Sequence, residues 1–271
     1  MILDIFTHSC PLILAATGAL FSELSGLLAL FLDGLISFAA FLCFLFTTKT
    51  TSVTLGFILS TLICTFLVFI LSFIIKKTKA NPFIASIAMN LLFSSLVSLF
   101  SNMFFNTRGV LFDSNFVFVP KTLSFPTISI TTVLVIGSLL FLNFTQKGTY
   151  FKIVGSNPDV LTARGINVSN YEIAAWCIAA FFGAMAGCFL PLRISSFVPN
   201  ISSGRGWMAL AIVFFGRKKI LRITFAVIIF CGTDYFSTHI QNYIPDIPSS
   251  FILSLPYLLI ILLMALDKKR N

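Results

Sequence analysis

Four stretches of this chain, at about residues 53–75, 83–105, 127–146 and 172–192, are apolar over the roughly 20 positions a helix needs to cross a hydrocarbon core about 30 Å thick. No other feature constrains the fold as much. Lipid offers a backbone N–H or C=O no partner, so a chain lying there must satisfy itself within helices. Composition removes the alternatives: 58% of residues are hydrophobic, 10% are charged and mean hydropathy is +1.01, which leaves too little polar surface for a water-soluble domain. The sequence predicts an all-α, polytopic membrane protein, organised as one transmembrane domain over 1–271.

The other apolar runs are shorter or interrupted. Residues 9–22 and 26–46 read as two segments joined at Glu23, with Asp33-Gly34 breaking the second. The runs 206–216 and 220–233 fall short of an ordinary span, and a final run at 249–266 contains Pro256. Half-length and Gly/Pro-broken helices belong inside a bundle, because a break facing lipid would strand polar groups. Seven to nine membrane segments are expected. The N-terminal stretch begins with Asp4 and lacks a basic region, which argues against a cleavable signal. The six cysteines form no CxxC pair and read as small apolar packing residues.

Charge placement orients the segments. If the loop at 76–79 (KKTK) faces the cytoplasm, alternating spans carry 147–170, 217–222 (RKKILR) and 267–271 (DKKRN) to the same side. Of the 18 basic residues, only Lys49, Arg108, Lys121, Arg193 and Arg205 then lie outside. This is the asymmetry expected of short loops that obey the positive-inside rule. Anionic lipid and insertion topology account for the formal charge of +9 without nucleic acid, since the cations are dispersed between spans.

The chain lacks a GxxxxGK[ST] phosphate loop, an HExxH or GxSxG motif, and clustered carboxylates. Energy for transport must come from another polypeptide or an ion gradient. Asp33 is the one acidic residue inside an apparent membrane segment, where a carboxylate costs about 2.5–3.5 kcal/mol. It either lines a transport pathway or caps the broken helix beside Gly34. Asn90, in the run NPFIASIAMNLLF, is either an interhelical hydrogen-bond bridge or a ligand contact. Gly183 and Gly187 have the GxxxG spacing that lets helix backbones approach closely.

The longest polar stretch, KGTYFKIVGSNPDVLTARGINVSN at 147–170, holds the most specific local signals. Asn157 is placed to cap a helix, Pro158 suits its first position and Gly165 can close it about two turns later. A rigid peg of that length can transmit rigid-body movement, although an ordinary helix connecting two spans has the same local sequence.

Four stretches in order, PLILAATGALFSELSGLLALFLDGLISFAAF, NPFIASIAMNLL, KIVGSNPDVLTARGINV and SGRGWMALAIVFFGR, resemble the permease subunits of bacterial ABC importers for simple sugars and nucleosides, a group related to branched-chain amino-acid permeases. The resemblance implies that the third stretch, with Lys152, Gly155, Asn157, Pro158, Arg164 and Gly165, is a cytoplasmic coupling element docking on a separate ATPase subunit, which carries the ATP and magnesium; this chain itself holds no cofactor. It implies further partners: a second permease or another copy of this chain, an extracytoplasmic substrate-binding protein, and membrane lipid. The fourth stretch would begin a half-helix near the translocation pathway, so that Arg205 joins Asp33 and Asn90 as candidate pathway residues. A helix N-terminus beside Arg205 could favour an anionic or electron-rich ligand; a plain extracytoplasmic turn fits the same residues. Ser156 replaces the family's acidic residue, Thr162 a basic one and Arg164 a small one, while Asp33 stands for a glutamate.

The expected function is therefore that of a multi-pass subunit in a bacterial cell membrane, without enzymatic activity of its own, moving a nucleoside, simple sugar or related ring compound inward. A vitamin or flavin is the alternative cargo, and an ion-coupled secondary carrier is the alternative mechanism, with Asp33 as its titratable group.

Overall fold

The computed structural model describes residues 2–116, 120–241 and 258. Among these the α-helices are α1 (Ile2–Leu24), α2 (Leu32–Thr50), α3 (Val53–Thr78), α4 (Pro82–Phe105), α5 (Pro120–Phe144), α6 (Gln146–Ser156), α7 (Pro158–Thr162), α8 (Val168–Ile194), α9 (Arg205–Phe215) and α10 (Ile220–Gln241). Seven of these helices are long and apolar enough to cross a membrane, and α9 is a shorter apolar helix. The predicted run at 249–266 and the basic tail at 267–271 lie outside the described residues.

Burial separates a centre from a rim. The apolar windows of α1 and α2 are 78% buried and that of α8 is 72% buried, whereas α3, α4 and α5 fall between 17% and 28%. The central helices meet along small residues. A Cβ on Gly187 of α8 would collide with the Ile36 carbonyl of α2, and one on Gly18 of α1 would sit 2.9 Å from the Ala179 carbonyl of α8. The GxxxG spacing thus seats α8 directly on the α2 backbone. The rim helices keep apolar side chains outward, such as Leu62, Phe66, Leu91 and Val133, as helices surrounded by acyl chains do.

Contacts between distant segments define the two ends of the bundle. At one end Glu23 pairs with Lys218 at 2.9 Å, Lys76 pairs with Glu172, and Gly155 touches Gly26. At the other, Leu111 and Phe197 form a two-way backbone bridge at 2.8 and 3.0 Å, and His8 meets Asp234. The first end carries the 76–79, 147–170 and 217–222 segments together, which the charge asymmetry puts in the cytoplasm.

The helix boundaries depart from expectation in three places. α1 continues to Leu24 and α2 starts only at Leu32, so Asp33-Gly34 lies in the first turn of a helix instead of breaking one. α10 runs to Gln241, past the polar run GTDYFSTH, because Asp234 has a partner in His8 of α1. Finally, α9 does not cross alone. The chain leaves α8 at the outer end, re-enters through non-helical residues 195–204, and α9 completes the passage to the 216–219 turn at the inner end.

Candidate functional site

A half-helix that starts inside a membrane exposes N–H groups with no water to receive them, so the partners of those groups are the first thing to establish. For α9 the partner is Asp33, whose Oδ1 accepts from Gly206 N at 3.1 Å. Gly206 is required there, since a Cβ would run into the Asp33 backbone. For α2 the partners come from α4: Asn90 Oδ1 accepts from Gly34 N at 2.6 Å, and Ser86 Oγ accepts from Phe31 N at 3.2 Å. Each broken end is capped by a side chain of another helix.

Arg205 serves the same purpose for the re-entrant stretch. Its guanidinium donates to the carbonyls of Ile201 and Ser202 at 3.1 and 3.2 Å, and Ser37 Oγ accepts from Ser202 N at 3.4 Å. Asp33 and Gly34 at the start of α2 thus join α2 to both α9 and α4, through Gly206 beside Arg205 and through Asn90. Two expectations change as a result. Asp33 caps α9, not its own helix, and the α9 N-terminus is occupied by that carboxylate instead of standing open to an anionic ligand. The Gly204-Arg205-Gly206 segment leads from a turn at 201–204 into α9, with Gly206 packed on Asp33.

At the inner end, 147–170 forms two helices and a turn. α6 starts at Thr145, whose Oγ1 accepts from Gly148 N at 3.0 Å. It ends where Pro158 supplies no N–H and disfavours helical backbone at Asn157, which adopts φ −155° and ψ 79°. α7 then runs from Pro158 to Thr162 and closes on Gly165, at φ +72°, with Ile166 N donating to the Leu161 carbonyl at 3.0 Å. Pro158 and Gly165 take their predicted positions. Asn157 precedes α7 but its side chain makes no cap, and the polar sequence of α6 concealed a helix.

This element has a buried root and an exposed tip. Phe151, Val154 and Leu161 are buried, while residues 157–160 and 162–165 are exposed, Arg164 among them. Phe151 sits edge-on to Phe21 of α1 and to Tyr171 of α8, with ring centroids 5.9 and 5.3 Å apart. Lys152 turns aside and donates to Asn143 Oδ1 at 3.3 Å. The root is locked to the α1–α2 connection: a Cβ on Gly155 would fall 2.7 Å from Gly26 N and 2.9 Å from the Leu24 carbonyl carbon. That connection holds α9 at both ends, through Glu23 to Lys218 just beyond its C-terminus and through Asp33 to Gly206 at its start.

Sequence reasoning missed a polar junction at the outer end. His8 of α1 lies 2.9 Å from Asp234 of α10 and also contacts Arg193 of α8. The three side chains join α1, α8 and α10 at this end of the bundle. Arg193 and Asp234 lie 185 and 226 positions from His8 in the sequence, with no local pattern linking them. Among the described residues no group of three His, Cys, Asp or Glu side chains is arranged to hold a metal.

A family model for the permease component of branched-chain amino acid transport systems matches residues 1–266. The chain is 24% identical to the nucleoside ABC transporter permease NupC of Lactococcus lactis, over 98% of this chain and 91% of that protein. It is 27% identical to a putative glucose ABC transporter permease of Haloferax volcanii, over 85% and 74% of the two chains. The solved structure of PsaBC from Streptococcus pneumoniae in complex with Fab has a similar fold, with a TM-score of 0.55 at 16% identity, covering 95% of this chain and 88% of that one.

Proposed function

The chain belongs to the family of branched-chain amino acid transport system permease components, and from that membership we propose how it is driven and what it carries. It is the membrane-spanning subunit of an ABC importer, a multi-pass protein of the bacterial inner membrane. The ATP and magnesium are handled by a separate ATPase subunit, and cargo arrives from an extracytoplasmic binding protein. A second permease, identical or related, completes the pathway. The cargo class is nucleosides or simple sugars, in keeping with the named cargoes of the permeases it resembles.

The coupling element is α6–α7, with Gly155, Asn157, Pro158 and Gly165 shaping it and Lys152 and Arg164 flanking it. One observation carries this reading: the exposed tip stands on a root that touches the α1–α2 connection backbone to backbone at Gly155 and Gly26. A displacement of the tip cannot be absorbed at such a joint, because no flexible side chain lies between the two backbones. It passes to the connection, and from there to α9 through the Glu23–Lys218 pair and the Asp33 cap. α9 thereby moves as a unit against its neighbours when the ATPase subunits close, a rigid-body change of the kind that alternates access.

An ion-coupled carrier would use a titratable group free to exchange its proton near the midplane. Asp33 is instead engaged at the α9 N-terminus, where its Oδ1 accepts from Gly206 N. In reconstituted vesicles, uptake is expected to require ATP on the inner side and to persist when the membrane potential and proton gradient are collapsed. Uptake that follows the gradient without ATP would overturn the proposal.

A further inference from the structure

The turn between α9 and α10 and the first turn of α10 place Arg217, Lys218, Lys219 and Arg222 side by side. With Lys152 of α6 they line a cavity of about 610 Å³, within the roughly 300–1,000 Å³ range of small-ligand sites. Its apolar lining includes Leu24 of α1 and Leu139 and Leu142 of α5. Glu23 pairs with Lys218 and Lys152 donates to Asn143, while Lys219 and Arg222 have no ion-pair partner among the described residues. Like charges gathered beside an apolar wall repel one another unless an anion joins them.

The form of the cavity indicates which anion. It lies where α5 and α10 leave the bilayer on the basic side, and the outward neighbours on those helices, Leu140, Phe144, Leu221 and Phe225, are large exposed hydrophobics. A ligand placed here meets cations at its head and leucines along its length. We propose that this cavity binds an anionic phospholipid, with the phosphate among Lys219, Arg222 and Lys152 and the acyl chains along the leucine wall. Such a lipid ties α6 to α10. The inference depends neither on the cargo nor on the coupling role of α6–α7.

The test uses the full-length protein purified in mild detergent, with phosphatidylglycerol or phosphatidylcholine added and retained lipid counted by native mass spectrometry. Phosphatidylglycerol is expected to be retained over phosphatidylcholine. The double variant Lys219→Ala, Arg222→Ala should weaken retention by about tenfold or more, while Lys77→Ala, Lys79→Ala, equally basic but outside the cavity, should leave it unchanged. The charge-conserving Lys219→Arg, Arg222→Lys should retain the lipid, which separates loss of charge from loss of fold. Equal retention of the two lipids, or equal loss in the two alanine pairs, would overturn the site. Displacement of phosphatidylglycerol by an equal concentration of glycerol phosphate or inorganic phosphate would show a free-anion site and overturn the lipid assignment.

Discussion

Replacing Gly155 by alanine adds one methyl group at the joint between α6 and the α1–α2 connection. The new Cβ would lie 2.3 Å from the Leu24 carbonyl oxygen and 2.7 Å from Gly26 N, against an ordinary contact of 3.4 Å or more, so the two backbones must part by about 1.1 Å. Overpacking of this kind costs about 1–3 kcal/mol. Alanine inside a helix returns about 0.5–1 kcal/mol relative to glycine, so overall stability should change little. The cost falls on the docked arrangement of the joint, and a coupling energy of 1–3 kcal/mol corresponds to about 5- to 150-fold in its population. With the protein reconstituted beside its ATPase and binding protein, uptake per ATP hydrolysed should fall at least about fivefold. Insertion, monodispersity and melting temperature should remain near those of the parent. Gly232→Ala is the control: it lies in α10, outside the coupling element, and no atom lies within 4 Å of its Cβ position, so its uptake per ATP should match the parent's. Unchanged uptake per ATP in Gly155→Ala, with the protein folded, would refute the reasoning.

Asp33→Ala leaves Gly206 N without its acceptor and should lower stability by about 1–3 kcal/mol, measured by thermal unfolding in detergent, whereas Asp33→Asn keeps an acceptor oxygen and should recover most of it. Asn90→Leu removes the acceptor for Gly34 N and should cost a similar about 1–2 kcal/mol by the same assay. Gly187→Leu forces α8 off the Ile36 carbonyl; the expected outcome is loss of folded, monodisperse protein on size-exclusion chromatography, with no partial-activity form.

The length of the apolar runs made two rim helices legible to within about three residues, 53–75 and 83–105 becoming α3 and α4, whereas α5 starts at Pro120, seven positions before the expected run at 127–146, and carries Pro126 inside it. The inner helices were harder to bound, since their ends are fixed by partners far away in sequence. Nothing near Asp33 announces that its hydrogen bond goes to Gly206, and Gly34 gives no hint of Asn90. The turn around Pro158 and the stop at Gly165 were readable because they act locally, through a missing N–H and a left-handed backbone. α6 was not, because its residues are polar and its pattern weak; what orders it is the burial of Phe151 and Val154 against α1 and α8. Gly165 and the Gly183/Gly187 pair could be interpreted from the sequence, but only the fold shows that Gly155 is pressed against Gly26 and the Leu24 carbonyl.

The account turns on the α6–α7 tip facing the cytoplasm and engaging the ATPase subunit. A single cysteine introduced by Val160→Cys, at an exposed position of α7, addresses both points in intact cells. It should resist a membrane-impermeant thiol reagent added outside, react once the membrane is opened, and form a cross-link to the ATPase subunit that shifts with nucleotide. Labelling from the outside, or no cross-link in the assembled and active transporter, would contradict the account.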